Sequence, residues 1–315
     1  MRIAIAGTGR LGTSLLNPLL DSTHEVVAVI LNGRATKGHR RWLDPFLGRF
    51  TGENLSVAGV AARYGVPRVF IDRMTDDELA PLRDLEPDLI LVGGFAIILK
   101  QPILHLPEYG CINCHSSLLP YHRGPNPFTA AILAGDDLTG VTFHQMDEGI
   151  DTGPIVKQYE VTIRPDETAG SLYERCCEIA RAKVCDVVDA IENAGGITGA
   201  AQNPDAGSYK KKLEGDDLFL DWTDPAEYLE RKIRACNPFT LARFRCRGHV
   251  VYVTRAACDT DPVDAPPGTV LESRRQVRVA TAQGSLTVQV AMTRTPVPWV
   301  WPSPLNHPKA GETLQ

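Results

Sequence analysis

The chain has no apolar run long enough to cross a bilayer as a helix, which takes about 20 such residues. The longest candidate, LILVGGFAIIL, is broken by two glycines and stops short. A basic, then apolar, then small-residue leader is also missing, because Met1-Arg2 runs straight into what reads as a first strand. Paired cysteine spacings of a disulfide framework are lacking as well. The eight cysteines are scattered through 315 residues and partly embedded in apolar runs, as reduced intracellular thiols are. No internal repeat and no low-complexity tract occurs. A membrane protein and a disulfide scaffold are therefore excluded, and a cytoplasmic globular protein is expected.

There is no strong excess of charge either, since the formal net charge is −5. The balance is uneven along the chain. Residues 1–204 carry 18 Lys+Arg against 25 Asp+Glu, and residues 205–315 carry 15 against 13. Arg231 to Arg255 holds seven basic residues and no acidic one, which reads as a solvated face or as a surface for a polyanion.

What is present is an alternation of strands and helices. RIAIA (2–6), HEVVAVIL (24–31), VPRVFI (66–71) and DLILVGG (88–94) read as buried strands, with helices predicted over 9–20, 55–64 and 75–84. A strand over 110–115, a helix over 127–135, strands over 140–146 and 154–162, and a long helix over 169–193 complete the series. This is the grammar of a doubly wound, mostly parallel, Rossmann-like α/β sheet. Residues 195–212, rich in Gly, Ala, Asn and Pro at first, read as a linker. After a helix over 225–235, short alternating stretches such as ARFRCRG, HVVYVTRA and SLTVQVAM predict a small β-barrel or sandwich. The expected division is a catalytic domain over 1–194, a linker over 195–212 and a small β domain over 213–315.

The first turn spells Gly7-x-Gly9-x-x-Gly12, the glycine pattern of dinucleotide sites. Such a site normally has a carboxylate at the end of the second strand for the ribose hydroxyls. That strand ends Ile30-Leu31-Asn32-Gly33-Arg34, with no acid. The glycines read as a structural turn, although Arg34 could accept a 2′-phosphate and leaves an NADP site open.

Two stretches carry chemistry. GCINCHSSLLPYHRGPNP (110–127) puts Asn113 and His115 at i and i+2 near the C-terminal end of a strand, so both point to one side. GVTFHQMDEGIDTGPI (140–155) puts Asp151 in an Asp-Thr-Gly-Pro turn. An Asn, a His and an Asp brought together can transfer an acyl group to an amine. The amide and a protonated imidazole stabilise an oxyanion, and the carboxylate orients the imidazole or relays a proton. Asp147 and Glu148 compete with Asp151 on paper but read as loop carboxylates. Cys111-x-x-Cys114 lacks a second pair and reads as unreactive, and His144 reads as structural. No metal is required.

Asn113-x-His115-x-Ser117-Leu118-Leu119-Pro120, followed by Asp151 in its Asp-x-Gly-Pro turn, resembles the 10-formyltetrahydrofolate-dependent formyltransferase family. The later stretch YKKKL, LDW, LERKIRACNPF is similar to the opening of the OB-like domain appended to that family's tRNA enzymes. The resemblance implies a formyl transfer to a primary amine by Asn113, His115 and Asp151, with 10-formyltetrahydrofolate as co-substrate, no NAD, and a purely structural role for Gly7, Gly9 and Gly12. It implies a folate pocket from Gly93, Gly94, Phe95, Ala96 and Ile97 facing Met146, Asp147, Glu148 and Gly149. The acceptor is expected against Ser117, Leu118, Leu119, Pro120, His122 and Arg123, and a tRNA also against Arg40 and Arg41. Initiator methionyl-tRNA is the first acceptor implied. An amino-sugar nucleotide or another small amine is the alternative, because Pro125-Asn126-Pro127 departs from the Ala-Ala-Pro of the tRNA enzymes. A formyltetrahydrofolate hydrolase, with water as nucleophile, is a third reading.

Overall fold

The computed structural model describes residues 1–33, 56–293, 300–301 and 308–314. The chain divides into two compact units. The first comprises residues 1–127, 139–162 and 173–210, and the second residues 128–138, 163–172 and 211–315.

A seven-stranded sheet builds the first unit. Its strands are β1 (Arg2–Gly7), β2 (Glu25–Asn32), β3 (Arg68–Ile71), β4 (Leu89–Gly93), β5 (Cys111–His115), β6 (Leu138–Gln145) and β7 (Ile155–Thr162), in the order β3-β2-β1-β4-β5-β6-β7. The pairs β1/β2, β1/β4, β2/β3 and β4/β5 are parallel, and β5/β6 is antiparallel. Strands two to four of this sheet are continuous apolar runs because helices cover both faces. Ala4, Ala6, Ala28, Ile30, Ile90 and Val92 lie in one such buried layer. Fully burying each Ile, Val or Leu contributes about 1.5–3 kcal/mol before chain entropy is charged against it.

Helices α1 (Gly9–Leu20), α2 (Val57–Tyr64), α3 (Asp76–Asp84), α4 (Gln101–Leu104), α5 (Pro127–Ala134) and α6 (Ala169–Ala194) run through this part of the sequence. Leu11, Leu15, Leu16 and Leu19 form the buried stripe of α1, at helical spacing. Ser56 caps α2 by accepting from the Gly59 N–H, and Gly65 ends it at φ 72°.

The opening glycines prove structural. A Cβ on Gly7 would stand 2.9 Å from both the Gly12 Cα and the Gly93 carbonyl oxygen. One on Gly12 would stand 2.7 Å from Val57 Cγ2. The pattern lets α1 sit directly on β1 and β4.

The second unit has its own core around Trp222, Phe244, Val251, Val253, Val279 and Leu286. Strands β8 (Ala242–Cys246), β9 (His249–Asp259), β10 (Val270–Ser273), β11 (Val277–Ala280) and β12 (Ser285–Thr293) pair in the order β10-β11-β12-β9-β8. The β8/β9, β9/β12, β11/β12 and β10/β11 pairings are antiparallel, and β13 (Val300–Trp301) joins β12. Helix α7 (Ala226–Cys236) follows the pattern of the sequence closely. Much of the basic stretch is committed to structure here. Lys232 is buried with its Nζ 2.6 Å from the Phe219 carbonyl. Arg234 pairs with Glu230 and donates to the Glu167 carbonyl. Arg247 pairs with Glu312, and Arg243 and Arg245 lie on the Phe219 ring.

Candidate active site

Strand β5 ends at the C-terminal edge of the parallel strands, where open α/β sheets bind ligands. Its alternation sends Asn113 and His115 to one side. Asp151 arrives from the turn between β6 and β7 with φ 54°, a left-handed conformation uncommon for non-glycine residues.

The carboxylate of Asp151 is the hub. Its Oδ1 accepts from Asn113 Nδ2 at 3.2 Å and lies 3.5 Å from His144 Nε2. Its Oδ2 accepts from the Gly124 N–H at 2.9 Å and lies 3.7 Å from His115 Nδ1. Burial raises the affinity of this carboxyl for its proton. The adjoining His144 ring, the nearby His115 and the Gly124 N–H outweigh that effect and bring its pKa to about 2. It is ionised at neutral pH.

His115 differs from expectation. Its burial, which disfavours charge, pulls its pKa below the ordinary histidine value even though Asp151 pulls the other way. The resting ring is neutral, whereas the residue pattern alone suggests a protonated one. Its Nε2–H donates to the His122 carbonyl at 3.0 Å, so the neutral ring turns an unprotonated Nδ1 toward Asp151.

His144 belongs to this cluster. It sits opposite Asn113 in the β5/β6 register. Its Nδ1 donates to the Gln145 carbonyl at 3.0 Å, which leaves Nε2 to accept from Asn113 Nδ2 at 3.2 Å. Asn113 is thus aimed by two acceptors. The sequence signal lies in the alternation of GVTFHQ, which puts Thr142 and His144 on one side, but the partner strand cannot be read from it.

The other expected residues divide. Asp147 accepts from the Thr152 hydroxyl at 2.7 Å and the Gly149 N–H at 3.1 Å, so it fastens its own turn. Glu148 holds the Gln101 amide. Phe95, Ile97 and Met146 pack, half-buried, on the same apolar cluster. Gly94, at φ 63°, ends β4 and takes the Thr8 hydroxyl on its carbonyl, while Ala96 is exposed. On the acceptor side, Ser117 is fully buried and its hydroxyl donates to the Tyr121 carbonyl. The Leu119 N–H donates to Thr142 Oγ1, which in turn donates to the Ser117 carbonyl. Leu118 packs where a side chain on Gly140 would go, and Pro120 stands against Gly207. Ser117 to Pro120 therefore shape the loop from beneath. His122 is buried, and Arg123 spends Nε and Nη2 on Gln202 Oε1, at 3.3 and 3.0 Å. Gln202 carries no signal in the sequence. Arg40 and Arg41 lie outside the described residues.

Burial raises the pKa of Cys111 to about 12 and that of Cys114 well above the ordinary thiol value. Both thiols are inert packing groups.

Comparison with known proteins matches residues 1–188 to the Formyl transferase family and residues 212–295 to the Formyl transferase C-terminal domain. A methionyl-tRNA formyltransferase of Halorhodospira halophila is 37% identical over 289 residues, 91% of this chain and 90% of that one. An N-formyltransferase of Helicobacter canadensis, solved with folinic acid and dTDP-3-aminofucose, shares the fold at TM-score 0.67 and 19% identity, over 91% of this chain and 97% of that one. HypX of Aquifex aeolicus, solved with tetrahydrofolic acid, shares it at TM-score 0.63 and 20% identity, over 96% of this chain and 46% of that one.

Proposed function

The chain belongs to the formyl transferase family, and on that premise we propose that it moves a formyl group from 10-formyltetrahydrofolate to the amino group of methionyl-tRNA. The observation that carries the chemistry is the Asp151 carboxylate, ionised and in reach of both Asn113 and His115. The relatives' agreement across both halves of the chain supports the acceptor. No helix among the described residues is long and apolar enough to cross a membrane. On this reading the enzyme works in the cytoplasm, where charged tRNA is used.

Phe95, Ile97 and Met146, half-buried on one apolar cluster, would offer an apolar surface to the flat heterocycle of the folate. The co-substrate supplies the formyl carbon and a nitrogen leaving group. Asn113 turns one Nδ2–H from His144 Nε2 to the carbonyl oxygen as negative charge develops there, while the other stays on Asp151 Oδ1. His115, neutral at rest, takes the proton of the attacking amine on Nδ1 and returns it to the departing nitrogen. Asp151 stabilises the imidazolium formed in between. The proton balance closes without a change in the protein.

The test measures formylation by purified protein, with labelled 10-formyltetrahydrofolate and either charged initiator tRNA or an amino-sugar nucleotide. Turnover with the tRNA that is lost in Asn113→Ala supports the proposal. Turnover only with the sugar would replace the acceptor, and release of formate without an amine would replace the reaction by hydrolysis.

A further inference from the structure

The segment after α6 is built into the site. Ala200 and Ile155 exchange both backbone hydrogen bonds at 2.8 Å, just past the Asp151 turn. Further on, the Arg123 N–H donates to the Ser208 carbonyl at 3.0 Å, and the Lys210 N–H to the Arg123 carbonyl at 2.8 Å. Between these two anchor points stands Gln202. Its Nε2 donates to the carbonyls of Asp151 and Gly153, at 2.9 and 2.7 Å. Its Oε1 accepts twice from the Arg123 guanidinium. Both donors and both acceptor sites of the amide are used.

We propose that Gln202 is a positioning residue for formyl transfer, fastening the backbone of the Asp151 turn to Arg123 and so fixing where the Asp151 carboxylate stands. The contacts form a closed ring. Gln202 holds the Asp151 carbonyl, Arg123 holds Gln202, and the N–H of the next residue, Gly124, holds the Asp151 carboxylate at 2.9 Å. The chain at Gly124 passes close against residues 209–210, since a Cβ there would stand 2.5 Å from the Lys210 carbonyl oxygen and 3.1 Å from the Tyr209 ring. Asp151 needs such fastening from outside, since its left-handed backbone costs about 1–2 kcal/mol relative to the ordinary conformation. Carboxylate placement also decides the rate, as a misplacement of about 1 Å can cost roughly 100-fold.

This inference rests on the reading in which Asp151 acts in catalysis. The test compares wild type, Gln202→Glu, Asp151→Asn and the double variant in formylation of methionyl-tRNA with labelled 10-formyltetrahydrofolate. Gln202→Glu keeps the shape, removes both donors and sets a charge against two carbonyls. The expected result is a kcat lowered roughly 10- to 100-fold, an unchanged KM for the folate, and a double variant no slower than Asp151→Asn alone. Should Gln202→Glu not fold, Gln202→Asn, one methylene too short to span the ring, carries the same comparison. A Gln202→Glu enzyme at the wild-type rate, or losses that multiply in the double variant, would overturn the proposal. Wild-type activity in Asp151→Asn would instead overturn the catalytic reading beneath it.

Discussion

Replacing Asp151 by Asn tests the centre of the argument because it preserves shape and changes only charge and one acceptor. His115 Nδ1 lies 3.7 Å from the Asp151 carboxylate. Two unit charges about 4 Å apart interact by about 4 kcal/mol at an effective dielectric near 20. If the imidazolium forms in the rate-limiting step, losing that interaction slows it by roughly 1,000-fold. The amide also cannot satisfy the neighbours that the carboxylate satisfies. With its oxygen toward the Gly124 N–H, its NH2 meets the Asn113 amide donor, and the flipped rotamer meets the Gly124 donor instead. Single-turnover formylation at saturating folate reads the loss directly. A stability measurement checks the same pair by another route. The folded carboxyl sits at about 2 against an ordinary 3.8, so it contributes about 2 kcal/mol of stability that is complete above pH ~4 and lost as pH falls from there toward 2. Asp151→Asn should flatten that acid limb of the melting curve. A variant within tenfold of the wild-type rate, with the limb unchanged, would refute the assignment.

Asn113→Ala should lower kcat by roughly 100-fold or more, the usual cost of losing an oxyanion donor. A loss below tenfold would move that role elsewhere. His115 has a lowered pKa because burial disfavours its charge. The rate should therefore hold steady from pH 8 to ~6.5 and decline only below the ordinary histidine value, as should the stability this neutral ring contributes. A rate that rises as pH falls through 7 would show that the resting ring must be charged. Lys211→Glu with Lys212→Glu, both exposed, should weaken tRNA affinity and reduce its salt slope, by about one unit for each phosphate no longer neutralised. Arg247→Ala, whose guanidinium is committed to Glu312, should leave that slope unchanged.

The fold is readable because its strands announce themselves by composition. A strand covered on both faces, such as LILVG, has no period to misread, and α1 places its leucines at helical spacing. The glycine pattern is more ambiguous. Gly7 and Gly12 are demanded by close backbone packing, and the same spelling serves a pyrophosphate in other proteins. The missing acid after β2 argues against NAD, yet Arg34 beside it leaves NADP open, and only the resemblance of the later motifs to the formyltransferases separates the two readings.

The site is readable only as far as local order reaches. Asn113 and His115 share a strand, and Asp151 sits in a turn whose glycine and proline mark it. His144 reaches Asn113 through an antiparallel register 31 residues away, and Gln202 reaches the Asp151 turn from 51 residues away. For His144 the alternation of its strand gives the face but not the partner, and Gln202 leaves no trace in the residues beside it. The basic stretch fails in the opposite way. It is conspicuous in the sequence, yet Lys232, Arg234 and Arg247 go to a carbonyl, a helical carboxylate and a C-terminal glutamate. A cation counts toward phosphate binding only if its structure has not already engaged it, and that is decided by packing partners that charge counting does not see. The same rule applies to Arg123, which reads as an acceptor contact and in the fold holds Gln202. Arg123→Lys, which keeps the charge but cannot make the paired contact with Gln202 Oε1, should therefore lower kcat more than it weakens acceptor binding.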